Sequence, residues 1–165
     1  MEKNLDSAEA LAKFKELVND IRVAMFITND SEADHTRPMH TIEVDENATV
    51  WFFTDLRSTK VEEVSQEKNV HLVYAHPGKE SYLDLWGNAT VVTDKQLIHD
   101  KWSPLVKAWF PKGINDPNIA LLKVQPHHAY YWDAETGKMV AFLKIIASAV
   151  SGKKFSEGSQ GKLVV

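Results

Sequence analysis

Five strand-like runs follow one another between Arg22 and Thr93 with mainly short connections, and this spacing constrains the fold more than any other feature of the chain. Parallel strands need crossovers of a dozen or more residues, whereas antiparallel neighbours need only a turn, so an antiparallel barrel or sandwich is expected rather than a doubly wound parallel sheet. Arg22 to Thr28 (RVAMFIT) is a continuous apolar run of buried-strand length. Arg37 to Val44 alternates, with Met39 and Thr41 facing one way and His40, Ile42 and Val44 the other. Asp45, Glu46 and Asn47 then supply a turn into Thr49 to Thr54 (TVWFFT), a β-branched and aromatic run that reads as the second half of a hairpin. Asn69 to His76 alternates with Val70, Leu72 and Tyr74 on one face. Glu80 to Thr93 is a long strand whose Gly87 marks a bulge or a close backbone approach.

Helical signals lie around these strands. Asp6 and Glu9 have capping-box spacing at the head of a helix from Asp6 to Asp20, whose Leu11, Phe14, Leu17, Val18 and Ile21 form one apolar stripe. A short helix is expected from Ser58 to Glu67, with Val61 and Val64 on its apolar side. Asp94 caps a segment from Lys95 to Trp109 that Ser103-Pro104 divides into two helical pieces. Beyond the turn-rich Phe110 to Asn118, a strand from Ile119 to Val124, a break at Gln125-Pro126 and a strand from His127 to Asp133 are expected. Lys138 to Val150 reads as an apolar helix buried against the domain or a second subunit, and Ser151 to Lys162 as a loose tail rich in serine, glycine and lysine. Residues 1–150 therefore read as one domain.

The formal charge of −4 and the absence of a basic stripe argue against nucleic acid as the main partner. With no cysteine, disulfides, thiol nucleophiles and thiolate metal sites are excluded. The amphipathic N-terminus is neither a secretory signal nor a membrane span, so a cytoplasmic protein is expected. Seven histidines include no helical i, i+4 pair, and no metal site is expected; His127 and His128, adjacent in a strand, should point to opposite faces. No serine sits in a nucleophile elbow, and no G-x-G-x-x-G opens a dinucleotide fold.

Function is expected between Arg37 and Lys60. Ser58, Thr59 and Lys60 begin a helix with hydroxyls, free backbone N–H groups and a cation, a natural seat for a phosphate, and Arg37 starts a neighbouring strand within reach of the same anion. With the aromatic second strand of the hairpin as an apolar wall, the arrangement suits a flat ring bearing a phosphate tail. Of the five tryptophans, Trp132, beside Tyr130 and Tyr131 at a strand end, is the one expected near a ligand or a subunit interface.

In their order and spacing, RPM at Arg37 to Met39, WFFTD and ST-K between Trp51 and Lys60, WGNATVVTD at Trp86 to Asp94 and WFPKGINDPNIALLKVQPHHAYYWD at Trp109 to Asp133 resemble the pyridoxamine 5′-phosphate oxidase-like, FMN-binding split-barrel family, in its general stress protein branch. The resemblance implies a mainly β, α+β chain built on a six-stranded antiparallel Greek-key split barrel, forming a homodimer with FMN in the clefts between subunits. It implies that Arg37 and Met39 lie beside the flavin, that Phe53 and Thr54 line the isoalloxazine, that Ser58, Thr59 and Lys60 hold the phosphate, that Trp109 and Phe110 shape the cleft, and that Trp132 reaches the flavin from one subunit or the other. Thr59 departs from the arginine usual before the lysine in the oxidases proper. The tail KKFSEGSQGKLVV lacks their basic C-terminal residues, so vitamin B6 oxidation is not expected. A flavin-dependent oxidoreductase is the leading expectation; a flavin carrier or sensor without turnover, a flavin-free interaction protein, and heme or deazaflavin binding are the alternatives.

Overall fold

The computed structural model describes residues 7–132 and 140–141. Its element order is α1 (Ser7–Ile21), β1 (Val23–Asn29), β2 (Asp34–Val44), β3 (Val50–Asp55), α2 (Thr59–Gln66), β4 (Asn69–His76), β5 (Ser81–Val92), α3 (Lys95–Lys101), β6 (Ile119–Trp132) and β7 (Val140–Ala141), with 3-10 turns at Pro77–Lys79 and Val106–Ala108. The sheet runs β3-β2-β1-β4-β5-β6-β7, and a further pairing of β3 with β6 closes the first six strands into an antiparallel barrel. Along it, β4-β1-β2-β3 is the Greek-key order, with α2 carrying the chain from β3 to β4.

Alternation explains the core. Phe26 and Phe52 meet edge to face inside the barrel, ring centroids 5.4 Å apart, among Val70, Leu72, Tyr74, Leu83 and Leu85. The apolar stripe of α1 joins this core through Ala10, Phe14, Leu17 and Val18. Every residue of β3 from Val50 to Thr54 is buried, because Val50 and Phe52 pack in the barrel core while Trp51 and Phe53 pack in a second cluster with Ile98, Val106, Phe110, Ile119 and Leu121. That second cluster anchors α3 and the loop after it to the barrel wall beside β3.

Three irregularities alter the expected faces and breaks. A register shift between Thr41 and Glu43 reverses the alternation of β2, so Val44 is buried with Met39 and Thr41 instead of sharing the face of His40 and Ile42. The chain does not break at Gln125-Pro126: β6 continues through it, and the register shifts between Trp86 and Gly87 so that an extra residue on β6 is absorbed as a bulge, where a proline is tolerated. There a Cβ on Gly87 would lie 2.7 Å from the Gln125 carbonyl oxygen and 2.8 Å from Val124 Cγ1, so the close approach read from the glycine is a real one. The same bulge leaves both His127 and His128 exposed, with rings 5.1 Å apart, rather than on opposite faces. Third, Val140–Ala141 is a strand paired with Tyr131 and Tyr130, where a helix from Lys138 was expected; the rest of that segment, the tail after it and Asp6 lie outside the described residues. The two helical pieces expected between Lys95 and Trp109 are present as α3 and the 3-10 turn.

Candidate functional site

The hairpin β2–β3, the start of α2 and the loop after α3 converge on an open cleft of about 190 Å³, lined among others by Met39, His40, Phe53, Thr54, Lys60 and Trp109. Each wall has a local cause. Phe53 is placed by its outward alternation on β3 and fixed by edge-to-face contacts with Trp102 (centroids 5.8 Å apart) and Phe110 (6.3 Å). Trp109 follows the 3-10 turn that Ser103-Pro104 initiates; it is 55% exposed and lies against His40, with ring centroids 5.3 Å apart. An indole left half in water at the mouth of an apolar cleft is a surface a ring can stack on.

The polar end of the cleft is the start of α2. Ser58 is its N-cap residue with extended backbone, its side chain caps nothing, and its hydroxyl lies 3.4 Å from Thr54 Oγ1. Lys60 is the important group. It is partly buried and makes no hydrogen bond or salt bridge with another described residue. Its pKa is lowered from the ordinary lysine value, first by desolvation and then by the neighbouring Arg37 charge, with Asp55 and Glu63 opposing weakly. Both nearby carboxylates are engaged elsewhere. Asp55 accepts from the backbone N–H, Nε and Nη2 of Arg57, which hold it at about 2. Glu63 accepts from Arg37 Nη2 at 2.8 Å and Thr28 Oγ1 at 2.5 Å. A desolvated lysine whose two neighbouring carboxylates are bonded to other partners, beside the N–H groups of a helix start, is an arrangement that can take an anion.

Met39, Phe53, Thr54, Lys60 and Trp109 are thus brought together, with Ser58 and exposed Thr59 at the rim. Arg37 is beside the cleft but does not line it: its Nη1 donates to Thr28 Oγ1 at 2.9 Å and Nη2 to Glu63, so its charge is already matched. Trp132 is at the other end of β6 from Ile119, which pairs with Asp55, so one chain does not bring it to the cleft. His40, a cleft residue not singled out from the sequence, shares with Ile42 the outward face of β2, and that shared face was the available signal. Asp30, His35 and Glu63 place three ligand-type atoms within 4.8 Å of one another. Within this group Arg37 Nη2 and Thr28 Oγ1 both donate to Glu63 Oε2, and the His35 Nε2 bonds Asp30 Oδ2.

The family description "Pyridoxamine 5′-phosphate oxidase like" matches residues 9–156. The chain belongs to this family. General stress protein 26 of Bacillus subtilis is 24% identical over 117 residues, 69% of this chain and 81% of that protein. Protein bli-3 of Neurospora crassa is 24% identical over 88 residues, 48% of this chain and 42% of that protein, so the match spans less than half of its length. Among solved structures, a protein related to general stress protein 26 from Clostridium acetobutylicum superposes with a TM-score of 0.73 at 22% identity, covering 86% of this chain and 99% of that one. The general stress FMN/FAD binding protein of Xanthomonas citri gives 0.67 at 23% identity, covering 96% and 99%. At these identities the superpositions establish the split-barrel fold. No helix among the described residues is long and apolar enough to cross a membrane.

Proposed function

We propose that this chain binds FMN non-covalently in the cleft between β2, β3 and the start of α2, and works as a cytoplasmic flavin-dependent oxidoreductase passing electrons between a reduced donor and a small acceptor. The observation that carries this is Lys60, a desolvated cation with no carboxylate bonded to it, at one end of a cleft whose other walls are Phe53, Met39 and Trp109. That donor set fits the group: Lys60 and the α2 N–H groups would hold the phosphate, with Ser58 and Thr59 offering hydroxyls, and the aromatic walls would cover the ring. A bound flavin supplies reversible hydride or single-electron chemistry. The protein's own contribution would be to fix the ring, with Phe53 and Met39 as the apolar lining that excludes water and His40 as the imidazole in the same cleft. Asp55, already bound by Arg57, is not free to exchange protons there.

A second copy of the chain would complete the site. A cleft of about 190 Å³ is smaller than the several hundred Å³ of a typical ligand pocket. Trp109, Trp132, Tyr82 and Met25 are exposed apolar groups of the kind that interfaces cover. A stress-related role is in keeping with the relatives' names.

Incubation with excess FMN followed by gel filtration tests the binding: flavin bands should travel with the protein at the dimer position. Oxidation of NADPH or NADH faster than by the same amount of free FMN distinguishes the oxidoreductase from a carrier or sensor. A protein that elutes colourless overturns the flavin reading.

A further inference from the structure

A second cavity of about 330 Å³ shares a wall with the cleft: His40, Ile42, Val106 and Trp109 line both. It lies between the end of α1, the outer face of β2 and the segment from Asp100 to Val106. Its volume is at the lower end of the range of small-molecule pockets, enough for a two- or three-ring compound. The His40 and Trp109 rings, tilted by 37° to each other, form the partition with Ile42 and Val106, so anything seated here lies one side-chain layer from the proposed flavin site.

Charge narrows the occupant. Lys101 is already matched by Glu43 and lies over Trp51, 4.3 Å from the ring centroid. Arg22 is different. Its backbone is pinned in the left-handed region at φ 65° by two hydrogen bonds, from its own N–H to the Val18 carbonyl at 2.7 Å and from the Thr41 N–H to its carbonyl at 2.8 Å. Nε donates to the Asn19 carbonyl at 3.1 Å, which orients the guanidinium and leaves both Nη groups without a carboxylate among the described residues. Asp100, also in the lining, accepts from the neutral Gln96 Nε2 at 2.9 Å within its own helix and keeps its charge, so an anion is held on the Arg22 side of the cavity. The site therefore offers an indole and imidazole wall and, at its edge, the two Nη groups of the exposed Arg22, whose Nε is tied to Asn19.

We propose that this cavity seats the reaction partner of the flavin, and that the partner is a planar ring compound carrying an anionic group that Arg22 binds. The role as reaction partner rests on the flavin reading; the anion and ring selectivity rests on the cavity alone.

Calorimetric titration of the full chain, saturated with FMN, with 9,10-anthraquinone-2-sulfonate and with neutral 2-methyl-1,4-naphthoquinone tests this. The sulfonate should bind, and Arg22→Gln should weaken it by about tenfold or more while changing the neutral quinone by less than about threefold, the signature of a lost charge-assisted hydrogen bond. Ser103→Trp, which fills the cavity, should abolish binding of both compounds while the flavin bands persist. Lys60→Met should impair flavin retention but leave sulfonate binding intact. No sulfonate binding, equal affinity in Arg22→Gln, or loss in Lys60→Met but not in Arg22→Gln would overturn the proposal, the last by placing the sulfonate in the flavin cleft. Sulfonate binding that depends on Arg22 in a protein that retains no FMN would overturn the assignment to a flavin's partner and the flavin reading with it, while leaving the anion site.

Discussion

Replacing Lys60 with methionine should move two properties of the protein in opposite directions. The methionine keeps an unbranched apolar stem of similar reach and removes the charge. In the flavin-free protein that charge is unfavourable: desolvation and the Arg37 guanidinium both depress its pKa, and no carboxylate is bonded to it. A lysine whose folded pKa lies below its unfolded value costs stability wherever it is charged, so the variant should unfold at higher urea concentration at pH 7. The gain should fade as pH rises through the depressed value and vanish above the ordinary value of 10.5, where lysine is neutral in both states. Flavin binding should go the other way. A hydrogen bond to a charged group contributes about 1.5 to 3 kcal/mol, so FMN affinity should fall about 10- to 150-fold. Urea unfolding without flavin, paired with quenching of flavin fluorescence on binding, reads both. Unchanged FMN affinity would remove Lys60 from the site, and a lower urea midpoint at pH 7 would show that the lysine is compensated in the folded chain.

Other outcomes follow from the same geometry. Phe52→Ala should cost about 3 to 5 kcal/mol by urea unfolding, because a fully buried ring packed on Phe26 leaves a cavity that the closed barrel cannot collapse around. Gly87→Ala should destabilise by about 1 to 3 kcal/mol, since the new methyl meets the Gln125 carbonyl oxygen at 2.7 Å and β5 or β6 must shift; an unchanged melting temperature would contradict the register at the bulge. The Asp30 carboxyl is held at about 2 by backbone N–H groups of Ala33 and Glu32 and by His35. A depressed carboxyl stabilises the fold above its unfolded value near 3.8, so the urea-midpoint gap between wild type and Asp30→Ala should be widest at neutral pH and close as pH falls toward 2.

Much of this architecture was legible because alternation and turn chemistry are local signals. Val70, Leu72 and Tyr74 announce the barrel face of β4, and the paired periodicities around Asp45 announce the hairpin. What was not legible depends on residues far apart in sequence. The bulge in β2 that turns Val44 inward leaves no mark in the alternation itself, and β6 runs through Pro126 because its extra residue is accommodated opposite Gly87, nearly forty positions earlier. The apolar run at Val140 carries no signal separating a helix from a strand that pairs with Tyr131. That Phe53, Lys60 and the start of α2 come to one place could be read from the hairpin and the helix signals that follow it. That Arg37 spends its charge on Glu63 and Thr28 could not, since those partners come from α2 and β1. The same holds for His40, whose place in the cleft depends on Trp109 folding back from beyond α3.

Comparing FMN with riboflavin on the wild-type protein tests most directly whether the start of α2 with Lys60 is a phosphate seat and the aromatic cleft beside it a ring seat. The two ligands share the ring and differ in the phosphate, so equilibrium fluorescence titration should show FMN binding at least about tenfold tighter, with the preference shrinking as salt is raised. Equal affinities would contradict the account, because the ring would then be held without the anion seat.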